Sequence, residues 1–213
     1  GYRNWCDCAF GEQEQARYKR EDAEAKEIIK RERMIDRLCA SEIPMRYDEA
    51  KLDQFSGAPI NEINNWLAER HENSIFIWGP VGTGKTHLAA ALLTKQIEEG
   101  RSGLFVAVPD LLDRIRATYS GKQDEDDLLK RVTSSNLIVL LDDFGAERIT
   151  DWAREKLYQI VNKRYNDCSE TIVTSNLDPE QLAKQVGDRI VSRLVGMCRI
   201  IKLDGDDRRL KGQ

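Results

Sequence analysis

Apolar and polar positions along the chain follow two alternating regimes. Five short runs are largely apolar: Ser74–Trp78, Gly103–Val108, Leu137–Leu141, Glu170–Asn176 and Met197–Leu203. Runs of this length without a polar face predict strands covered on both sides, as in a parallel sheet. Between them, apolar side chains recur three and four residues apart, as amphipathic helices require. Ile63, Trp66 and Leu67 share a face of Ile60–Arg70, and His87–Ile97 is rich in helix formers. Leu111, Leu112 and Ile115 follow Pro109, Leu128–Val132 forms a short turn of helix, and Ala153, Leu157, Ile160 and Val161 line one side of Asp151–Tyr165. Asp178-Pro-Glu-Gln181 predicts a helix start, with a capping carboxylate, Pro in the first turn and Gln closing the box. Gly187–Leu194 predicts one more short helix. Strands alternating with helices predict an α/β fold, a parallel sheet with helices on its faces and a site along the C-terminal strand ends.

A different pattern precedes this. Residues 12–38 contain neither Gly nor Pro, and eight acidic and eight basic side chains lie between Glu12 and Arg37. Many stand three or four apart, which predicts one long charged helix. Ala25, Ile28, Ile29, Ile35 and Leu38 give it a narrow apolar stripe, and Pro44 ends it. The chain therefore divides into residues 1–40, a charged N-terminal segment, and residues 41–213, the sheet-forming domain. Cys6-Asp-Cys8 offers two of the four ligands of a structural zinc site. With no other Cys or His nearby, the pair reads equally as half of such a site or as two free thiols. The chain opens on Gly rather than Met, which points to a processed or partial chain.

Charge narrows the choice of function. A net charge of −4 over 213 residues excludes a uniformly basic nucleic-acid binder, though not a local basic face. No apolar run reaches the 18 or so residues of a membrane span. Five scattered cysteines fit a reducing, cytoplasmic setting.

The chemistry concentrates in Gly79-Pro80-Val81-Gly82-Thr83-Gly84-Lys85-Thr86, followed by His87. This satisfies the phosphate-loop pattern. Glycines let backbone N–H groups approach phosphate oxygens without a Cβ in the way. Lys85 brings a cation to the β- and γ-phosphates, the Thr86 hydroxyl is placed for Mg²⁺, and the following helix adds its positive end. The strand before and the helix after supply the required context. The chain is expected to bind a nucleoside triphosphate. Leu137–Leu141 then ends in Asp142-Asp143, where carboxylates at a central strand's C-terminus have defined work. Asp142 is expected to hold the Mg²⁺ and Asp143 to orient or deprotonate the attacking water.

Taken together, these motifs resemble those of AAA+ ATPases: the phosphate loop, Asp142-Asp143-Phe144-Gly145, Thr174-Ser175-Asn176 and Arg189-Ile-Val-Ser-Arg193-Leu194 stand in that family's order. Gly82–Ala89, Val108-Pro-Asp-Leu-Leu112 and Thr174–Leu177 narrow the resemblance to DnaC/DnaI-type bacterial helicase loaders and the related IstB-type transposition ATPases. It spans roughly residues 41–209. The resemblance implies an AAA+ core with a five-stranded sheet, ATP and Mg²⁺ as ligands, and slow, DNA-stimulated hydrolysis. It implies that Asn176 is the sensor touching the γ-phosphate or water. Arg193 matches the arginine finger acting on a neighbouring subunit, with Arg189 as second candidate. Asp207 and Arg209 match a terminal nucleotide-sensing element, and Glu147 stands near enough to share the role of Asp143. The implied partners are a hexameric replicative helicase, single-stranded DNA and further copies of the chain. The transposition reading substitutes duplex DNA and a transposase. A P-loop small-molecule kinase is a third class, disfavoured by the paired arginines and by the lack of an evident lid or acceptor pocket.

Overall fold

The computed structural model describes residues 9–69, 74–118, 125–146 and 149–205. All five predicted strands form, in one parallel sheet ordered β2 (Gly103–Ala107), β3 (Ile138–Asp142), β4 (Thr171–Ser175), β1 (Ser74–Trp78) and β5 (Cys198–Lys202). Alternate residues of each strand enter opposite cores, because successive side chains point to opposite faces. Ile75, Ile77, Phe105, Ile138, Leu140 and Ile172 pack on one face against α2 (Ala58–Glu69) and α3 (Lys85–Glu98). Phe76, Leu104, Val106, Val139, Leu141 and Val173 enter the other. There they meet α4 (Val108–Thr118), α5 (Glu125–Thr133), α6 (Asp151–Asn166), α7 (Pro179–Val186) and α8 (Asp188–Met197). This double burial is why the strands read as continuous apolar runs. The predicted capping box of α7 forms, with Gln181 N–H donating to Asp178 at 2.7 Å.

The strand ends are level where the chemistry lies. Trp78 pairs with Ser175, Ile77 with Thr174 and Leu141 with Val173, so Gly79, Asn176 and Asp142 emerge along one edge. β1 lies between β4 and β5 while the chain leaves it for the far edge at β2. That change of direction opens a crevice above β1 and β4, the usual ligand site of such sheets.

The opposite edge is held by a buried cation. Arg164 of α6 is fully buried, and its five N–H donors reach Thr171 Oγ1 and the carbonyls of Val132, Ser134, Leu137 and Glu170. Burial lowers its pKa to about 10, which still leaves it protonated at neutral pH, as five donated bonds require.

The predicted charged helix forms as α1 (Ala9–Ala40). Leu38 packs into the α3 core, but Ile28, Ile29 and Ile35 stay 59%, 47% and 47% exposed. The helix is anchored at its C-terminal root and carries these residues past the sheet. Beyond it, the Ser41 carbonyl accepts the Phe105 N–H of β2 at 2.7 Å, and Glu42 takes Arg114 and Arg131. The polar, acidic stretch 119–127 reads from the sequence as an exposed loop; 119–124 lie outside the described residues, and 125–127 instead form the first turn of α5.

Candidate active site

The phosphate loop lies between β1 and α3, as its sequence demands. Gly79, Gly82 and Gly84 have φ of 151°, 83° and 94°, values that side chains rarely allow. A Cβ on Gly79 would stand 2.1 Å from the Leu203 carbonyl oxygen, so this backbone passes against the residue that follows β5 with no room for one. Thr83 and Lys85 are buried, and both donate to the Pro80 carbonyl, at 3.0 and 2.7 Å. Val81 is exposed at the tip. α3 starts at Lys85 with Gly84 as its cap, so its N-terminal N–H groups face the loop's concavity. The His87 side chain turns away, bonded to Gln54 Oε1 and set between the rings of Tyr47 and Phe55.

The acidic pair is built by register. Asp142, 6% exposed, accepts the Thr174 hydroxyl at 2.6 Å. Thr86, 56 positions away in the chain, stands near enough for its hydroxyl to favour the charged form of Asp142. Burial pushes the Asp142 carboxyl above the usual carboxylate range. The Thr174 bond opposes this, the charge on Asp143 adds to it, and the Thr86 hydroxyl opposes it again. A desolvated carboxylate beside a hydroxyl and a phosphate loop is a seat suited to a cation. The donor set fits Mg²⁺, which takes one or two protein oxygens and completes its shell with phosphate and water. Among the described residues no cluster of three or more His, Cys, Asp or Glu forms a separate metal site. Cys6 and Cys8 lie outside the described residues, as do Glu147, Asp207 and Arg209.

Asp143 adopts φ 55°, an uncommon conformation for a side-chain-bearing residue. Its N–H donates to Thr174 Oγ1 at 2.9 Å and the next N–H, of Phe144, to the Thr174 carbonyl at 2.8 Å. The turn throws the Asp143 carboxylate toward Asn176, whose Nδ2 stands 3.5 Å from Oδ1. The structure therefore links Asp142, Asp143 and Asn176 through Thr174, a motif residue to which the sequence assigns no role of its own. Its signal was positional: a hydroxyl two residues before Asn176, on the strand beside the acidic pair.

The two arginines stand apart from this cluster. Arg193 donates to Asn162 Oδ1 at 2.8 Å, the Arg189 carbonyl at 3.0 Å and Tyr158 OH at 3.1 Å, and stacks over the Tyr158 ring. Arg189 is exposed one turn earlier on α8.

Residues 15–213 match the family model described as IstB-like ATP binding protein. The chain belongs to this family. Its relatives include helicase loaders. The replicative helicase loader DnaC of Buchnera aphidicola (strain APS) is 30% identical over 190 residues, covering 85% of this chain and 77% of that protein. DnaI of Bacillus subtilis is 26% identical over 169 residues, covering 71% of this chain and 54% of the relative. Among solved structures, the DnaC helicase loader superposes with a TM-score of 0.67 at 27% identity, over 76% of this chain and 100% of that one. A DnaI structure gives 0.66 at 24% identity, over 79% and 95%. The fold is that of an AAA+ P-loop ATPase, and the loader branch expected from the motifs is the one its relatives occupy. Among the described residues no helix is long and apolar enough to cross a membrane.

Proposed function

We propose that this IstB-like ATPase is an ATP-switched loader that places a hexameric replicative helicase on single-stranded DNA. The observation that carries the reading is the hydrogen-bond chain from Asp142 through Thr174 to Asp143 and Asn176, with Thr86 of the phosphate loop beside Asp142. A change at the γ-phosphate is felt by two strands at once through that linkage. In this reading Gly79–Thr86 hold the triphosphate, and Lys85 exchanges the Pro80 carbonyl for phosphate oxygens. Thr86 and Asp142 hold Mg²⁺, which when bound supplies positive charge to the phosphates. Asn176 and Asp143 orient the attacking water. Asp143 is the base that takes its proton, and its single methylene suits slow turnover. Arg209 and Glu147 retain their expected supporting parts, and zinc at Cys6 and Cys8 remains part of the proposal for the N-terminal segment.

Arg193 acts on the ATP of a neighbouring copy, so activity needs an oligomer. In the single chain its guanidinium is committed to α6, and assembly has to draw it out. Arg189, exposed beside it, is the helper. Mixing Lys85→Ala with Arg193→Ala chains tests this: each alone is inactive, and the mixture recovers part of the wild-type rate. No recovery at any ratio overturns action in trans.

The role itself is tested by co-elution with the organism's replicative helicase in the presence of an ATP analogue and Mg²⁺, adding single-stranded DNA last. A nucleotide-dependent complex that passes DNA into the helicase ring is the expected result. The family description keeps a second reading, an IstB-type transposition ATPase. Filaments on duplex DNA without a helicase complex would establish that one instead.

A further inference from the structure

We propose that α1 carries a binding surface for the phosphate backbone of a single nucleic-acid strand, formed by Lys19, Lys26, Lys30, Arg33 and Arg37. At about 100° per residue these five cations fall within roughly 60° of the helix circumference. They span about 27 Å of its length at about 1.5 Å per residue. Lys19, Lys26, Lys30 and Arg33 are exposed and Arg37 half-buried. Lys26 pairs with Asp22, whereas among the described residues no ion pair engages the other four. From Lys26 onward the spacing is four, three and four residues, about 5–6 Å per step, which is the scale of successive phosphates along one strand. Lys26, Lys30, Arg33 and Arg37 also line a groove of about 470 Å³ against Gly100, at the turn between α3 and β2.

Charge separation around the helix selects the occupant. Glu14, Glu21, Glu32 and Asp36 lie on the far side with Tyr18; Ile28 and Ile35 adjoin Arg17 and Arg31, and Asp22, paired with Lys26, is the acid that borders the row most closely. A bilayer would need one apolar face, and here Ile28 and Ile35 stand about 100° around the helix from Ile29 and Tyr18, so no single apolar stripe forms. An evenly charged polyanion fits the basic row. A single strand can follow a straight rod along its whole length, whereas a strand of a duplex curves away from it within half a turn. The surface extends the DNA-handling part of the proposed function and rests on α1 alone.

The test is fluorescence anisotropy of the full chain with labelled oligo-dT over a salt series. Lys30→Glu/Arg33→Glu is expected to weaken binding at least tenfold and to flatten the log–log salt slope by about 0.7 per lost phosphate contact. Arg20→Glu/Arg31→Glu changes net charge equally on another face of α1 and keeps affinity within threefold. Lys30→Gln/Arg33→Gln, which leaves helix propensity intact, reproduces the loss in milder form. Equal effects of the on-stripe and off-stripe pairs overturn the proposal. So does tighter binding of duplex, of poly-glutamate or of phosphatidylserine vesicles than of oligo-dT, or no oligo-dT binding by the wild type. DNA binding through the stripe without any helicase complex leaves this surface standing and removes the loader reading. Helicase loading that ignores the stripe does the reverse.

Discussion

A single hydroxyl, that of Thr174, serves both acidic residues: it donates to the Asp142 carboxylate and accepts the Asp143 N–H. Valine has the same shape and neither function. Thr174→Val is expected to cost about 1–3 kcal/mol in urea denaturation, the penalty for stranding buried polar groups, and to lower ATP turnover more than tenfold. Thr174→Ser should recover most of both, and equal losses in the two variants would assign the effect to packing. Asp142 makes a second prediction. Its pKa in the fold lies above the 3.8 of an unperturbed carboxyl, so between those values the folded state binds more protons than the unfolded one. Stability from this group is therefore greatest below about pH 4 and is lost as pH rises through the folded value. Asp142→Asn cannot ionise. In nucleotide-free thermal melts it should match wild type near pH 4 and melt higher at pH 7; a pH-independent gap would place the penalty elsewhere. The sequence disclosed Asp142, Asp143 and Asn176 because each sits at a fixed place in a motif. Thr174 stands in the same motif as Asn176, but its role was hidden because it depends on which strand lies beside β3, a long-range pairing that no local pattern encodes.

Among the elements, α6 shows how much a period can say and where residue type misleads. Ala153, Leu157, Ile160 and Val161 face inward as their spacing predicts, and Arg164 continues the same face. A charged residue in that series reads as surface, yet it closes the N-terminal ends of β3 and β4 with five hydrogen bonds. Arg164→Lys keeps the charge and offers three donors from a shorter reach. It is expected to lower stability by roughly 3 kcal/mol or more in urea, leaving nucleotide affinity unchanged because the loop lies at the other sheet edge. Weaker ATP binding at full stability would contradict that separation. α1 shows the converse. Its apolar residues were legible but not their fate, because burial depends on whether the helix lies over the sheet or projects beyond it, and only its root is docked.

For the molecule as a whole, alternation along the chain was enough to foresee five parallel strands with helices on both faces. The order β2-β3-β4-β1-β5 was not legible, since every strand is apolar enough for a central place. What distinguishes the outer strand β2 is a contact at its free edge: the Ser41 carbonyl, just after α1, accepts the Phe105 N–H, and Leu38 packs inside the core. That contact has a practical consequence for anyone trimming the protein. A chain cut to start at Met45 keeps every catalytic motif but leaves the rim of β2 bare, with unpaired N–H and C=O groups inviting a second sheet to dock. Such a fragment should scatter light and precipitate as its concentration rises, while one that starts ahead of Leu38 stays clear. The modest stretch between the charged rod and the ATPase is, on this view, what keeps the domain from polymerising through its backbone.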